Sequence, residues 1–372
     1  MANQSASAYP ILCASFNQDN SCFAIGTKNG FKIFDSTTGR LCYERGIGAY
    51  AIVEMLFTSS LLAIVGAGEQ PILSPRRLCL YNTTTGNPLR ELNFITSILA
   101  IRVNKQRLIV VLQEKTYVYD IISLGILDTI ETVPNPKGLC AFSPSLDGCF
   151  LALPASTIKG SVLVYDVIGL RTHCEIDAHR SILSAIVLSS NGMYLATASE
   201  QGTIIRVHLV SEATKAYSFR RGTYPSTIFS LSFGSSLQLP DLLGVTSSSG
   251  SLHVFCLESA ITQRSRRGTG FLGSIIPNSV NDALDPSNHH VLHNAFLAGV
   301  KSCTVIRKVD KISEATTSQE SVACRATICI VTYNGYFLEY SLSINHKNEP
   351  SWTLNREFNL LTVVAADTPT KS

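Results

Sequence analysis

The feature that most constrains the fold of this chain is a short hydrophobic run that recurs along its whole length. Each run reads as a β-strand, because β-branched and aromatic residues dominate it and a polar turn follows. We call the last large residue of each run an anchor, and the anchors are Phe34, Tyr81, Tyr119, Tyr165, His208, Phe255 and Tyr340. The sequence positions of successive anchors differ by 47, 38, 46, 43, 47 and 85. A period of about 40–45 residues with four strands per unit is typical of a β-propeller.

Seven anchors predict an all-β chain that folds as a single seven-bladed β-propeller over residues 1–372. The repeats are divergent WD40 repeats, since Trp352 is the only tryptophan and no Trp-Asp pair occurs. The last spacing exceeds one blade by about 40 residues, which predicts a long loop inserted in blade six, at 259–294, and residues 363–372 read as a C-terminal tail. A parallel α/β fold is the main alternative, but the amphipathic helices that it needs are not found.

The composition excludes several classes of protein. Hydrophobic residues make up 45% of the chain and charged residues 15%, so it is not a disordered or solvating segment. A net charge of +3 gives no basis for bulk nucleic-acid binding, so we expect no nucleic-acid partner. Eleven cysteines without a Cys-x-x-Cys motif are expected to be reduced core residues of a cytosolic protein, and neither a secretory signal nor a membrane span is expected.

Motifs of catalysis and of metal binding are also missing. No Gly-x-Ser-x-Gly, Walker loop, His-Glu-x-x-His or dinucleotide fingerprint occurs, so we expect no enzyme and no cofactor. The segment from His289 to His293 could place two imidazoles one helical turn apart, as a metal pair requires. No cysteine or carboxylate adjoins it, and we therefore expect no metal site.

The strongest local signal is the sequence Phe219-Arg220-Arg221-Gly222. Neighbouring side chains of an extended strand point to opposite sides, so Arg220 and Arg221 are expected to diverge and to serve two separate anion pockets. Guanidinium groups suit phosphate because their planar donors grip oxygen atoms in pairs. A solvated basic strand end is the plain alternative.

A polar pattern repeats on either side of this arginine pair. The stretch from Thr197 to Arg206 and the stretch from Ser247 to His253 both contain a hydroxyl, a turn with glycine, a second hydroxyl and then a basic residue. Hydroxyls and exposed turn amides cradle phosphate oxygens. Ordinary turn chemistry also uses serine and threonine, but here the same pattern lies beside each arginine.

These motifs together resemble the PROPPIN family, the WD-repeat propellers that bind polyphosphoinositides and are called WIPI proteins in animals. The resemblance runs from about Pro10 to Leu361 and is carried by the FRRG motif and by three further segments. They are Leu195 to Val207, Ala178-His179, and Ser74-Pro75-Arg76-Arg77-Leu78. The chain departs from the family pattern at Ser251, where relatives often have threonine, and at the anchor His208. The basic run from Arg264 to Arg267 has no assignment in the family pattern.

The resemblance implies a non-enzymatic effector that binds phosphatidylinositol 3-phosphate and phosphatidylinositol 3,5-bisphosphate and recruits autophagy machinery to the forming autophagosome membrane. By matching position, the first phosphoinositide site would use His179, Thr197, Ser199, Thr203, Arg206 and Arg220. The second site would use Arg221, Ser247, Ser251 and His253. The implied location is cytoplasmic, peripheral on preautophagosomal, endosomal or vacuolar membranes, with the protein monomeric in solution.

Two further surfaces are expected from the sequence. Phe271, Leu272, Ile275 and Ile276 would form one face of a short helix that ends at Pro277, and the resemblance supports insertion of this blade-six loop into a membrane. A loop that packs back on blade six is the alternative. Pro75, Arg76 and Arg77 lie in the second repeat, where the resemblance favours docking of a lipid-transfer autophagy protein and an inert solvated loop is the alternative.

A different function also remains open at the level of sequence. The chain could be a WD-repeat protein-interaction scaffold whose basic face binds acidic protein partners. Binding to vesicles with and without phosphoinositides separates the two functions.

Overall fold

The computed structural model describes residues 9–234, 242–257, 289–311, 322–345 and 347–363. These ranges contain strands, turns and bends but no helix, so none of them offers a helical span of a bilayer. The strands form seven four-stranded sheets, and in every sheet the four strands are consecutive in sequence and pair antiparallel.

We number the sheets as blades one to seven in chain order. Blades one to three contain β1 (Ile11–Phe16), β2 (Cys22–Thr27), β3 (Gly30–Asp35), β4 (Leu41–Arg45), β5 (Tyr50–Met55), β6 (Leu61–Gly66), β7 (Arg77–Asn82), β8 (Asn87–Asn93), β9 (Ala100–Val103), β10 (Arg107–Val111), β11 (Lys115–Asp120) and β12 (Ile126–Glu131). Blades four and five contain β13 (Ala141–Phe142), β14 (Phe150–Pro154), β15 (Gly160–Asp166), β16 (Arg171–His179), β17 (Leu183–Leu188), β18 (Tyr194–Ser199), β19 (Ile204–Leu209) and β20 (Thr214–Arg220). Blades six and seven contain β21 (Ile228–Phe233), β22 (Leu242–Ser247), β23 (Leu252–Cys256), β24 (His289–Leu292), β25 (Ser302–Lys311), β26 (Val322–Thr332), β27 (Tyr336–Asn345) and β28 (Pro350–Asn359).

The seven blades close into a ring, which confirms the predicted seven-bladed propeller. The first strand of each blade contacts the first strand of the next, and β25 contacts β1. These inner strands line a central channel with a volume of about 810 Å³. Seven hydrophobic clusters occupy the seven junctions between neighbouring blades. Middle strands such as β6, β14 and β22 are apolar and buried along most of their length, because a neighbouring blade covers each of their faces.

All seven anchors lie on the third strand of a blade and all are buried. In six blades the pairing of the third strand with the outer strand shifts register at the anchor itself, for example between Ile33 and Phe34 and between Leu80 and Tyr81. Such an irregularity bends a strand. In these six blades the anchor therefore lies where the outer strand bends relative to the third strand. The pairing of β23 with β24 in blade six carries no such shift.

The long last spacing is only partly explained by the predicted loop. Residues 289–292 at the end of that loop form β24, the outer strand of blade six, and the preceding residues of the loop up to 288 lie outside the described residues. Blade seven contributes as well, because its strands are 10 or 11 residues long. In the predicted C-terminal tail only Val363 is described, and its carbonyl accepts a hydrogen bond from Lys32 Nζ.

A buried charge cluster closes the ring between blades seven and one. Glu339 is 6% exposed, and its Oε2 meets Arg307 Nη2 at 3.1 Å and also accepts a hydrogen bond from Arg356. Both arginines also donate to the carbonyl of Ser36 in blade one. The Glu339 carboxylate of blade seven thus positions two guanidinium groups so that they bind the backbone of blade one, the neighbouring blade.

We expect Glu339→Gln to lower the free energy of unfolding by about 3 kcal/mol, because it leaves two half-buried cations without their counter-charge. Urea denaturation measures the change. Glu131→Gln is the matched control: its carboxylate pairs with Lys115 at 2.7 Å on an exposed outer strand, where an ion pair contributes at most about 1 kcal/mol. Equal stability losses in the two variants would contradict a closing role for Glu339.

Candidate functional site

The first cluster of predicted site residues lies where blades four and five meet. His179 ends the outer strand of blade four, and its Nε2 lies 3.0 Å from Thr197 Oγ1 on β18 of blade five. Arg206 on β19 donates from Nη1 to the carbonyl of Ala178, beside His179. Thr197 is paired with Arg206 across the sheet, so both side chains are on the same face. The structure therefore brings together residues that are distant in the sequence.

The remaining members of the first cluster surround these three. Ser199 is buried at the end of β18, and Thr203 lies in the turn before β19. Arg220, the last residue of β20, is exposed and lies opposite Ile204 in the strand pairing. Its guanidinium has no hydrogen-bond or ion-pair partner among the described residues, which leaves its donors available to a ligand.

Electrostatics in the first cluster favour an anion. Burial lowers the pKa of His179 to about 4, and the nearby charge of Arg206 adds to the shift. The pKa of Arg206 is itself lowered, first by burial and then by the charge of Arg180. The nearest acidic side chain in the sequence, Glu200, is paired with Lys137 at 2.8 Å. The cluster thus contains uncompensated positive charge.

The second cluster begins with Arg221, which is only 9% exposed although its neighbour Arg220 is exposed. This difference agrees with the predicted divergence of the two side chains. Arg221 Nε donates to the carbonyl of Gly202 at 2.6 Å, and Nη2 donates to the carbonyl of Tyr224. Backbone carbonyls therefore satisfy part of this buried guanidinium, and the Nη1 group remains for a ligand.

His253 on β23 faces Arg221 across the junction of blades five and six. Burial lowers the pKa of His253 to about 3, and the charges of His289 and Arg221 add to the shift. Its Nδ1 lies 2.9 Å from His289 Nε2, while its own Nε2 is buried without a hydrogen-bond partner among the described residues. A buried polar atom without a partner is costly.

The turns that carry the hydroxyl groups have the same geometry in the two blades. Gly202 and Gly250 have φ values of +60° and +75°, and each donates its N–H to the carbonyl of the serine three residues before it. Those serines are Ser199 and Ser247, both predicted site residues, and the buried Ser251 follows the second turn. A β-carbon at Gly202 would lie 1.8 Å from the Ser226 carbonyl oxygen, so the turn requires glycine. The repeated sequence pattern is thus a repeated structure.

The other predicted residues lie elsewhere. Arg76 is exposed before β7 in blade two, and its guanidinium has no partner among the described residues. Arg77 instead pairs with Glu91 at 3.5 Å, and the carbonyl of Pro75 accepts from Ile98 N at 2.8 Å. The four apolar residues of the predicted insertion loop and the basic run before them lie outside the described residues.

The helical placement that we considered for His289 to His293 is wrong. His289 and His290 are successive residues of the strand β24 and therefore face opposite sides. The described residues contain no group of three or more potential metal ligands.

Two residues of these clusters were not predicted from the sequence. Arg180 follows the Ala178-His179 pair directly, and its charge lowers the pKa of Arg206. The Ala-His motif could therefore have indicated Arg180. His289 stacks on Phe255 with ring centroids 4.4 Å apart and touches His253. Only the pairing of β23 with β24 brings it there, and no sequence pattern reveals that pairing.

The fold defines a class: a seven-bladed propeller, in which two clusters with arginine and histidine side chains lie at consecutive blade junctions. A family model described as PROPPIN matches residues 10–294. The chain is 69% identical to autophagy-related protein 18b of Arabidopsis thaliana over 363 residues, covering 98% of this chain and 99% of that protein. It is 43% identical to autophagy-related protein 18 of Dictyostelium discoideum, covering 94% of each. The chain belongs to the PROPPIN family.

Solved structures agree with this fold. Hsv2 of Kluyveromyces lactis matches with a TM-score of 0.72 at 17% identity and covers 95% of this chain and 100% of that chain. KlAtg21, solved in complex with the coiled coil of AgAtg16, matches with a TM-score of 0.68 at 24% identity and covers 93% of this chain and 98% of that chain.

We expect the buried histidines to make the protein sensitive to acid. Their pKa values in the folded state lie well below the unfolded value of 6.5, so below pH 6.5 the unfolded chain binds protons that the folded chain does not. The free energy of unfolding should therefore fall from pH 6.5 towards pH 4, by roughly 1–2 kcal/mol per buried histidine at pH 5. Thermal unfolding across this range measures the loss.

A matched pair of variants isolates the contribution of one histidine. His179→Asn should flatten the fall in melting temperature with pH, whereas His173→Asn, at an exposed position of the same strand, should leave it unchanged. A pH profile that is the same in both variants would contradict the prediction.

Proposed function

We propose that this protein is a non-enzymatic phosphoinositide effector that binds phosphatidylinositol 3-phosphate and phosphatidylinositol 3,5-bisphosphate at two sites. The observation that carries the proposal is the placement of the arginine pair. Arg220 borders the first cluster and Arg221 lies in the second, and each cluster adds a polar glycine turn and a buried histidine. Two pockets of one chemistry at neighbouring junctions suit phosphate groups presented side by side on a membrane.

The chemistry of each pocket supports a phosphate ligand. Arginine donors that no carboxylate neutralises attract a dianion and bind its oxygens in pairs. Thr197, Ser199, Ser247 and Ser251 supply short hydroxyl donors, and the neutral imidazoles of His179 and His253 can each donate or accept one hydrogen bond. At the second pocket the guanidinium of Arg221 is bound, among the described residues, only by backbone carbonyls, which carry no negative charge.

Family membership and the names of the curated relatives support a role in autophagy that involves phosphoinositides. On this basis the protein acts peripherally on preautophagosomal, endosomal or vacuolar membranes. It recruits autophagy machinery to the forming autophagosome membrane and is monomeric before it binds there.

Replacing both arginines with threonine should abolish binding to vesicles that contain phosphatidylinositol 3-phosphate. Either single replacement should weaken binding without eliminating it, because two pockets on one rigid ring bind with avidity. Vesicle flotation measures the bound fraction. Arg171→Thr is the control, since Arg171 is exposed on blade four and should not matter.

Stability must be followed in parallel, because Arg221 also holds the carbonyls of Gly202 and Tyr224. Arg220 has no such structural bonds to described residues, so Arg220→Thr should lose affinity with an unchanged melting temperature. Undiminished flotation of the double variant would contradict phosphoinositide binding at the two clusters. It would favour a scaffold for acidic protein partners instead.

The blade-six loop is proposed as a second attachment to the membrane. Headgroup contacts alone hold a protein reversibly, and stable attachment generally needs two signals. Phe271, Leu272, Ile275 and Ile276 supply an apolar signal in the sequence, and Arg264, Arg266 and Arg267 precede them.

A separate protein face is proposed in blade two, for a lipid-transfer autophagy protein. KlAtg21 was solved with the coiled coil of AgAtg16, which supports the idea that a propeller of this family also holds a protein partner. The backbone at Pro75 and Arg76 is tied to Ile98 and Phe94. A rigid loop therefore presents the guanidinium of Arg76, which is unpaired among the described residues.

We expect Arg76→Ala to reduce partner binding while vesicle binding stays unchanged. Arg77→Ala should have the smaller effect, because Arg77 is already paired with Glu91 and Asn93. Co-precipitation of the partner and flotation of the same samples measure the two activities. If Arg76→Ala impaired both activities, or neither, a separate protein face would be ruled out.

A further inference from the structure

The two pockets lie in one continuous band on a single face of the propeller. Within an antiparallel blade, the turn between the second and third strands emerges on the same face as the connection from the fourth strand to the next blade. Backbone hydrogen bonds join these turns and connections in alternation. They are Glu200 N to Ile182 O at 2.9 Å, Ser226 N to Gln201 O at 3.2 Å, Ser248 N to Thr227 O at 2.8 Å and Gly299 N to Ser248 O at 2.9 Å.

Each connection in this band exposes one large apolar side chain. Ile182 lies between blades four and five, Tyr224 between blades five and six, and Leu297 between blades six and seven; they are 38%, 83% and 68% exposed. Along the band the order is therefore Ile182, first cluster, Tyr224, second cluster, Leu297. Each basic pocket is flanked on both sides by an exposed apolar side chain.

Scattered exposed apolar residues are normal and need no explanation. Ile122, for example, is 88% exposed on blade three. In the band the exposed apolar residues lie beside both clusters and close to two cations that have no described ion-pair partner, Arg180 and Arg220. Exposed apolar groups among unpaired cations are the composition of surfaces that contact anionic bilayers.

We propose that Ile182, Tyr224 and Leu297 enter the interfacial region of an anionic bilayer, with Tyr224 as the main anchor between the two pockets. This inference rests on the proposed phosphoinositide function and adds a bilayer contact that does not depend on the blade-six loop. Tyrosine suits the position because its ring is apolar and its hydroxyl stays at the level of the headgroups.

The position of Tyr224 is coupled to the second pocket. Arg221 Nη2 donates to the carbonyl of Tyr224, and Arg221 Nε donates to Gly202 in the neighbouring turn. The guanidinium that faces the ligand therefore also fixes the backbone that presents the aromatic ring. The guanidinium of Arg221 would therefore contribute both to binding of the headgroup and to insertion of the Tyr224 ring.

The first experiment compares vesicle binding with binding of a soluble headgroup. The vesicles contain phosphatidylcholine, phosphatidylserine and phosphatidylinositol 3-phosphate, and the soluble probe is inositol 1,3-bisphosphate. Tyr224→Ser should weaken vesicle binding about tenfold, through loss of buried aromatic area, while affinity for the soluble probe and the melting temperature stay unchanged. The hydrogen bond from Arg221 is to the backbone, so the substitution retains it. Ile122→Ser is the control and should bind vesicles like the wild type.

The second experiment reports insertion directly. Tyr224→Trp in a Trp352→Phe background places the sole tryptophan in the band, and its fluorescence should shift to the blue and be quenched by brominated phosphatidylcholine. At saturating vesicle concentration the same result should hold when Phe271, Leu272, Ile275 and Ile276 are replaced by serine.

The outcomes separate the inference from the function on which it rests. Wild-type vesicle affinity in Tyr224→Ser, or fluorescence that the brominated lipid does not quench, would overturn the bilayer contact and leave the headgroup function standing. A wild-type protein that binds neither the soluble probe nor the vesicles would overturn both.

Discussion

Closure of the ring between blades one and seven is the constraint on which the rest of this structure depends. Each blade is built from four strands that are consecutive in the sequence, so among the described residues no strand of one chain end completes the blade of the other end. The ring is held shut by contacts between whole blades instead. An apolar cluster with stacked Phe23 and Phe337 fills the junction, the Glu339 charge cluster reaches the Ser36 carbonyl, and Lys32 binds the carbonyls of Leu361 and Val363.

Both candidate pockets depend on this closure because neither belongs to a single blade. His179 of blade four lies within hydrogen-bond distance of Thr197 of blade five. The charge of Arg221, which follows the last strand of blade five, lowers the pKa of His253 in blade six. An open ring would let neighbouring blades splay and would separate these partners. The pockets are also two copies of one local design, since the same glycine turn recurs in blades five and six. A second candidate pocket thus arises because the same turn recurs in the next blade.

The structural features that recur from blade to blade could be predicted from the sequence, whereas the features that occur once could not. The anchors predicted one strand in each of the seven blades, and the structure shows that this is the third strand every time. A buried ring at the register shift with the outer strand recurs in nearly every copy, so the sequence repeats it. The hydroxyl and glycine patterns likewise located the two turns. His289 was missed because it reaches His253 through strand pairing across the whole blade-six loop, which leaves no local trace in the sequence. The contribution of blade seven to the last spacing was missed because strand length follows no motif.

Local charge, rather than net charge, explains how a nearly neutral chain of +3 could select an anionic surface. Among the described residues no carboxylate forms an ion pair with Arg206, Arg220 or Arg221, and two carboxylates close to the first cluster in the sequence, Asp177 and Glu200, pair with Lys159 and Lys137. Burial lowers the pKa of Arg206 and of Arg221, which means that their charged forms are poorly solvated in the free protein. Backbone carbonyls relieve part of this cost but carry no negative charge. A phosphate at either cluster would supply that negative charge, which is the physical basis of the proposed preference for anions.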